Sequence, residues 1–200
     1  MSLLLKNGQV YYKNKLQNLD ILIENDQIKK VGKDINGNVQ EIKDCSGLTI
    51  FPGFIDTHVH FREPGHPKKE TLESGSRGAV IGGITGIFEM PNTSPITDNI
   101  EMLNDKLSRA KNSMLCNYAF YFGATNENSD KLDFLKNLDG CCGIKMFVGS
   151  STGDLLVKDD YYIEQVIKNS PKLVSIHSED EDMLISRKSN IQEGNVKSHY

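Results

Sequence analysis

His58 and His60 stand one residue apart at the end of an apolar run, Phe51-Pro52-Gly53-Phe54-Ile55-Asp56-Thr57-His58-Val59-His60. On a β-strand, residues i and i+2 project from the same face. Two imidazoles placed that way converge on one point, as the nitrogen ligands of a divalent metal ion must. Asp56 falls on the same face, where a carboxylate can orient one of the rings. Arg62 follows two residues later, and its planar guanidinium can hold a carboxylate through two parallel hydrogen bonds. The plainer alternatives are two satisfied histidines on a half-buried strand and a surface ion pair of Arg62 with Glu63 or Glu70.

Three more positions extend the pattern. Asn92, after Pro91, offers an amide donor or is simply a turn residue. Lys145 sits in the otherwise apolar Gly143-Ile144-Lys145-Met146-Phe147-Val148. A buried ammonium is costly and tends to lose its proton. The neutral amine can add carbon dioxide and become a carbamate, a carboxylate-like group able to bridge two metals. The alternative is a lysine snorkelling to the strand end. His177 ends the short stretch Val174-Ser175-Ile176, where a lone histidine is more often structural than a ligand. The acidic run Glu179-Asp180-Glu181-Asp182 reads as a helix N-terminus. Gly149-Ser150-Ser151-Thr152-Gly153 resembles an anion-binding turn. It lacks the Gly-Lys-Ser/Thr ending of a P-loop, which argues against nucleotide binding.

These residues need a scaffold that aligns strand ends. Residues 1–50 read as a small β module. Asn7-Gly8 signals a hairpin between Leu3–Leu5 and Val10–Tyr12, and Asn25-Asp26 a second one before Gln27–Val31. From residue 51 to 200, strands and helices alternate. The predicted strands are Thr49–His58, Ile84–Met90, Met114–Phe122, Gly143–Val148 and Leu173–His177. The predicted helices run near Lys69–Ile81, Asp98–Lys111, Ser129–Leu138 and Asp159–Lys168, with a fifth starting near Ser178. Such alternation implies a parallel sheet with right-handed crossovers. The polar residues fall at the strand ends, as in a (β/α)8 barrel, whose active site lies at that face. Five units do not close eight strands, and a barrel takes about 250 residues, so the chain is expected to be the N-terminal part of a longer protein.

Composition excludes several classes. Of 200 residues 38% are hydrophobic and 25% charged, the balance of a soluble globular chain. A net charge of -4 offers no footprint for nucleic acid or an anionic membrane. The N-terminus has three consecutive apolar residues before Lys6, too few for a secretory signal. No run of membrane-spanning length follows. The four cysteines form no C-x-x-C pair, which suits free thiols and a cytoplasmic location.

The motifs Pro52-Gly53-Phe54-Ile55-Asp56-Thr57-His58-Val59-His60-Phe61-Arg62-Glu63-Pro64-Gly65, Met90-Pro91-Asn92-Thr93-Ser94-Pro95, Gly143-Ile144-Lys145 and His177-Ser178-Glu179 resemble the dihydroorotase family of the amidohydrolase superfamily. The resemblance covers essentially the whole chain. It implies a TIM-type barrel with a small β-sandwich built from both chain ends, and two zinc ions per subunit. It places His58 and His60 on one metal, His177 on the second, and a carboxylated Lys145 between them. Arg62 and Asn92 would hold the carboxylate of dihydroorotate or N-carbamoyl-L-aspartate, the third-step pair of pyrimidine synthesis. A homodimer is implied by the resemblance alone. The second histidine of the His177 metal and the aspartate general acid/base are expected beyond residue 200, so the 200 residues alone are not expected to be active. Two alternatives stand beside this reading. One is another cyclic amidohydrolase, such as an allantoinase or hydantoinase. The other is a non-catalytic partner of aspartate transcarbamoylase, a class that usually loses the metal ligands retained here.

Overall fold

A computed structural model describes residues 1–149 and 155–188, and the chain divides into two units, Met1–Phe54 and Ile55–Tyr200. In the first, β1 (Ser2–Tyr12), β2 (Lys15–Glu24) and β3 (Gln27–Gly32) form an antiparallel meander. β4 (Glu41–Asp44) and β5 (Thr49–Ile50) pair with β1 in parallel. Both hairpin turns are two residues with positive φ: Lys13 and Asn14 at 50° and 62°, then Asn25 and Asp26 at 49° and 62°. That backbone matches the right-handed twist of the flanking strands. The hairpin expected at Asn7-Gly8 does not form, because β1 continues through it. Asn7, with φ 62°, marks a β-bulge where the register slips between Leu5 and Gly8. Buried Asp20 holds the bulge: its Oδ1 accepts the Asn7 N–H at 2.9 Å and its Oδ2 the Ile35 N–H at 3.0 Å.

In the second unit β6 (Phe54–Val59), β7 (Ile84–Glu89), β8 (Asn117–Gly123), β9 (Cys141–Phe147) and β10 (Val174–His177) lie side by side in chain order. The pairings from β7 to β10 are parallel. α1 (Leu72–Ile81), α2 (Ile100–Lys111) and α3 (Asp160–Asn169) connect strands, and α4 (Glu181–Lys188) follows β10. The predicted strand Thr49–His58 is two strands in two sheets. Pro52 lacks a ladder donor and separates β5 from β6. The helix expected at Ser129–Leu138 is only a 3-10 turn, Asp133–Asn137, whose first residue has no side-chain cap. α2 starts later than Thr97-Asp98, because Asn99 is the residue whose Oδ1 accepts the Met102 N–H at 3.0 Å.

Strand residues Ile87, Phe120, Phe122, Ile144 and Met146 and helix residues Leu72, Leu103, Ala110 and Val166 are closed to solvent in one core. Ile144 and Met146 face it, so the pleat turns Lys145 to the opposite side of the sheet. Phe61 belongs to the same core and anchors the segment carrying both histidines and Arg62. Its ring lies against Gly75 of α1, where an added Cβ would sit 2.5 Å from Phe61 Cδ1. An alanine there gains up to about 1 kcal/mol of helix propensity, and crowding a rigid ring costs about 1–3 kcal/mol. Gly75→Ala is therefore expected to destabilise the fold by roughly 1 kcal/mol or more, read as a lower urea midpoint. An unchanged or higher midpoint would refute this packing argument.

Candidate metal centre

His58 is the next-to-last residue of β6, and His60 lies just past the strand, half-buried. Their ring centroids are 5.3 Å apart with a 54° tilt, as the i, i+2 spacing requires. His60 Nδ1 lies 2.8 Å from Asn92 Oδ1. An amide oxygen only accepts, so with this amide orientation Nδ1 carries the proton and Nε2 keeps its lone pair. Burial holds His60 below the ordinary histidine range. The Asn92 bond opposes this, and the charges of Arg62, His58 and Lys145 add to it. His58 is lowered by burial first, then by Lys145 and His177, with Asp56 opposing. Both rings are thus driven toward the neutral form that ligates metals.

Lys145 is 2% exposed, and among the described residues no carboxylate pairs with it. Burial depresses its pKa, and its Nζ lies 5.0 Å from the Phe147 ring centroid. In register it is flanked by Gly123 on β8 and Ser175 on β10. The snorkelling lysine of the plainer reading is not what the fold shows. His177 ends β10, and its Nε2 lies 2.9 Å from Glu179 Oε2, which leaves Nδ1 available when Nε2 donates. Among the described residues, no three His, Cys, Asp or Glu side chains gather closely enough to bind a metal by themselves. The Lys145 charge acts on both His58 and His60, and the His177 charge on His58, so the four strand-end donors share one field.

One expectation and one plainer alternative are corrected. Asp56 does not orient a ring; its Oδ1 accepts the backbone N–H of His58 at 3.0 Å, a local turn bond. Glu63 does not pair with Arg62. Its Oε2 accepts the Leu72 N–H at 2.9 Å, and its Oε1 lies 3.6 Å from Arg109 Nη1. Arg62 is exposed with φ 57°, its carbonyl receiving the His66 N–H at 2.8 Å. The acidic run does start α4, with Asp180 Oδ1 accepting the Met183 N–H at 2.8 Å. The turn at 149–153 falls largely outside the described residues.

The sequence reading overlooked a buried ion pair, Lys106 of α2 with Glu89 at the end of β7. A signal existed: Lys106 sits three residues after Leu103 and four before Ala110, a charge on the buried stripe of α2. Burial raises Glu89 to about 7 in spite of Lys106.

In the folded, metal-free protein the two site imidazoles bind fewer protons than in the unfolded chain. Their contribution to stability is therefore present above the ordinary value of 6.5 and lost as pH falls below it. Glu89 titrates across the same window with opposite sign, so the histidine share is isolated by comparison with His58→Gln/His60→Gln. Between about pH 7.5 and about pH 5.5 the wild type should lose more urea stability than the double variant. Equal losses would contradict the assignment.

The Amidohydrolase family matches residues 49–178. A dihydroorotase of Methanosarcina mazei is 35% identical over 199 residues, covering 98% of this chain and 43% of that protein. An allantoinase of Desulfitobacterium hafniense is 38% identical over 161 residues, covering 80% and 36%. The chain thus spans less than half the length of these curated relatives. Among solved structures, the L-hydantoinase of Arthrobacter aurescens superposes with a TM-score of 0.86 at 22% identity, over 94% of this chain and 43% of that one, a likeness of fold alone.

Proposed function

The chain belongs to the amidohydrolase family as a dihydroorotase-like member, and on that premise we propose that its protein is a dihydroorotase. The reaction is the reversible hydrolysis of the ring amide of dihydroorotate to N-carbamoyl-L-aspartate in pyrimidine synthesis. The observation that carries the proposal is the trio of neutral-leaning His58 and His60 and buried Lys145, which pairs with no carboxylate among the described residues, beside the Arg62 and Asn92 loops. The five-stranded sheet is read as part of a (β/α)8 barrel, the first unit as part of a β-sandwich, and the compartment as the cytoplasm. Among the described residues no helix is long and apolar enough to cross a membrane.

His58 and His60 would hold one zinc ion and His177 a second, with Lys145 bridging as a carbamate. Bound zinc supplies Lewis acidity toward the amide carbonyl and a water acidic enough to attack it. The chain's own residues bind and orient. Asn92 fixes the His60 tautomer through Oδ1 and keeps Nδ2 to donate to the substrate carboxylate. Arg62, exposed and in a left-handed backbone conformation, takes the same carboxylate in two parallel bonds. Glu179 holds His177 by Nε2. The neutral amine of Lys145, favoured by burial, is the form that adds carbon dioxide.

A second reading, allantoinase or hydantoinase chemistry, is supported by the allantoinase relative. Arg62 separates the two. Arg62→Ala is expected to lower kcat/KM for dihydroorotate about 10- to 100-fold, the worth of a lost charge-assisted bidentate pair, and to leave hydantoin turnover within about threefold. Intact dihydroorotate turnover in the variant would remove the carboxylate clamp. Lys145→Ala is expected to lose most bound zinc by elemental analysis, and the wild type to carry the mass of one added carbon dioxide on that lysine. A zinc content unchanged by the substitution would exclude the bridge.

A further inference from the structure

We infer that Lys106, held by Glu89, is the positioning residue of the candidate site, acting on Asn92 and His60 through the carbonyl of Met90. The inference rests on the reading of Arg62 and Asn92 as substrate contacts. Lys106 and Glu89 are both fully buried. The Lys106 ammonium bonds Glu89 Oε2 and donates to the Met90 carbonyl at 3.0 Å. It also lies 5.4 Å from the Phe120 ring centroid. The Met90 N–H, on the other side of the same residue, donates to the Val59 carbonyl at 3.0 Å. Val59 is the residue between His58 and His60. Met90 is thus clamped at its carbonyl by a buried charge and at its N–H by the strand that carries both histidines.

The consequences run outward from Met90. Pro91 follows, and its carbonyl receives the N–H groups of Thr93 at 2.9 Å and Thr97 at 3.0 Å, which sets the turn presenting Asn92. Asn92 then meets His60 Nδ1. The Ser94 N–H donates to the Pro64 carbonyl at 3.2 Å, binding this turn to the Arg62 loop. At Gly65, φ is +110° and a Cβ would lie 2.7–2.9 Å from Ser94 atoms, so only glycine lets the loops meet. One helical turn past Lys106, Arg109 approaches Glu63 in the Arg62 loop. α2 therefore grips both loops that carry the proposed substrate contacts.

An ion pair kept only for stability has a simple replacement. A buried pair exchanged for apolar residues of similar volume is often neutral or stabilising. Among the described residues Glu89 Oε1 has no hydrogen-bond partner of good geometry, while the Phe61 backbone N–H, next to His60, acts on the same carboxylate. What apolar side chains cannot supply is the donor to the Met90 carbonyl.

The test is Glu89→Leu/Lys106→Met in the full-length protein, with two readouts besides the thermal melt. The first is the Nδ1–H signal of His60 in metal-free, histidine-labelled protein by nitrogen NMR, which needs no turnover. The second is KM against kcat for N-carbamoyl-L-aspartate and dihydroorotate. We expect a melt at or above that of the wild type, loss of the Nδ1–H signal, and a KM raised about tenfold with kcat within about threefold. If the double variant does not fold, Lys106→Met alone carries the same readouts. A folded variant that keeps the His60 signal and the wild-type KM overturns the positioning role. If wild-type protein turns over neither substrate, the function proposed above fails, and the NMR comparison still decides the role of Lys106.

Discussion

Lys106 has no access to water; burial lowers its pKa and Glu89 opposes this, and the loops around the candidate site are built on the two oxygens that receive its Nζ. An unpaired charge at that depth costs several kcal/mol. The fold can close over it only if Glu89 and the Met90 carbonyl are brought to its ammonium. That requirement fixes the end of β7 relative to α2. The end of β7 fixes Asn92, and the Val59 carbonyl ties the same residue to the strand of the histidines. Packing alone does not do this. Phe61 and Gly75 hold the backbone between His60 and Arg62, and the buried Met90 carries both backbone bonds that precede Asn92.

Around that frame the site is organised by the cost of charge. Burial lowers the pKa of His58, His60 and Lys145, and the Lys145 charge further disfavours protonation of both histidines. No carboxylate of the described residues relieves Lys145. Such a cluster is unfavourable for a protein that needs only to fold, and favourable for one that must offer neutral nitrogen donors and a nucleophilic amine. The orienting partners differ accordingly: His60 answers to a neutral amide that only accepts through Oδ1, and His177 to a carboxylate.

The first unit follows another logic. Its buried polar anchor, Asp20, satisfies backbone donors of a bulge and a loop rather than a charge in a site. This explains why Asn7-Gly8, a turn signal by residue type, lies inside a strand. The side chain of β2 offers the bulged backbone the partner that a turn would otherwise provide.

Much of this protein was legible in its residues. The alternation of β and α, the convergence of His58 and His60, and the strand-end places of Asn92 and His177 follow from pleat and helical periods, which are local properties of the backbone; the residues alone leave Lys145 open between a buried amine and a snorkelling one, and the fold decides it. The resemblance to dihydroorotases named the family from the same positions. Tertiary structure decided what local periodicity cannot encode. It chose the partner of each polar group: Asp56 for the His58 backbone, Glu63 for Leu72 and Arg109, and Lys106 for Glu89 and Met90. It split Thr49–His58 between two sheets and left Asp133–Asn137 as a single turn. A polar contact depends on which atoms the fold delivers to bonding distance: Asp56 reaches His58 only two positions on, whereas Glu63 meets Leu72 at 9 positions and Arg109 at 46.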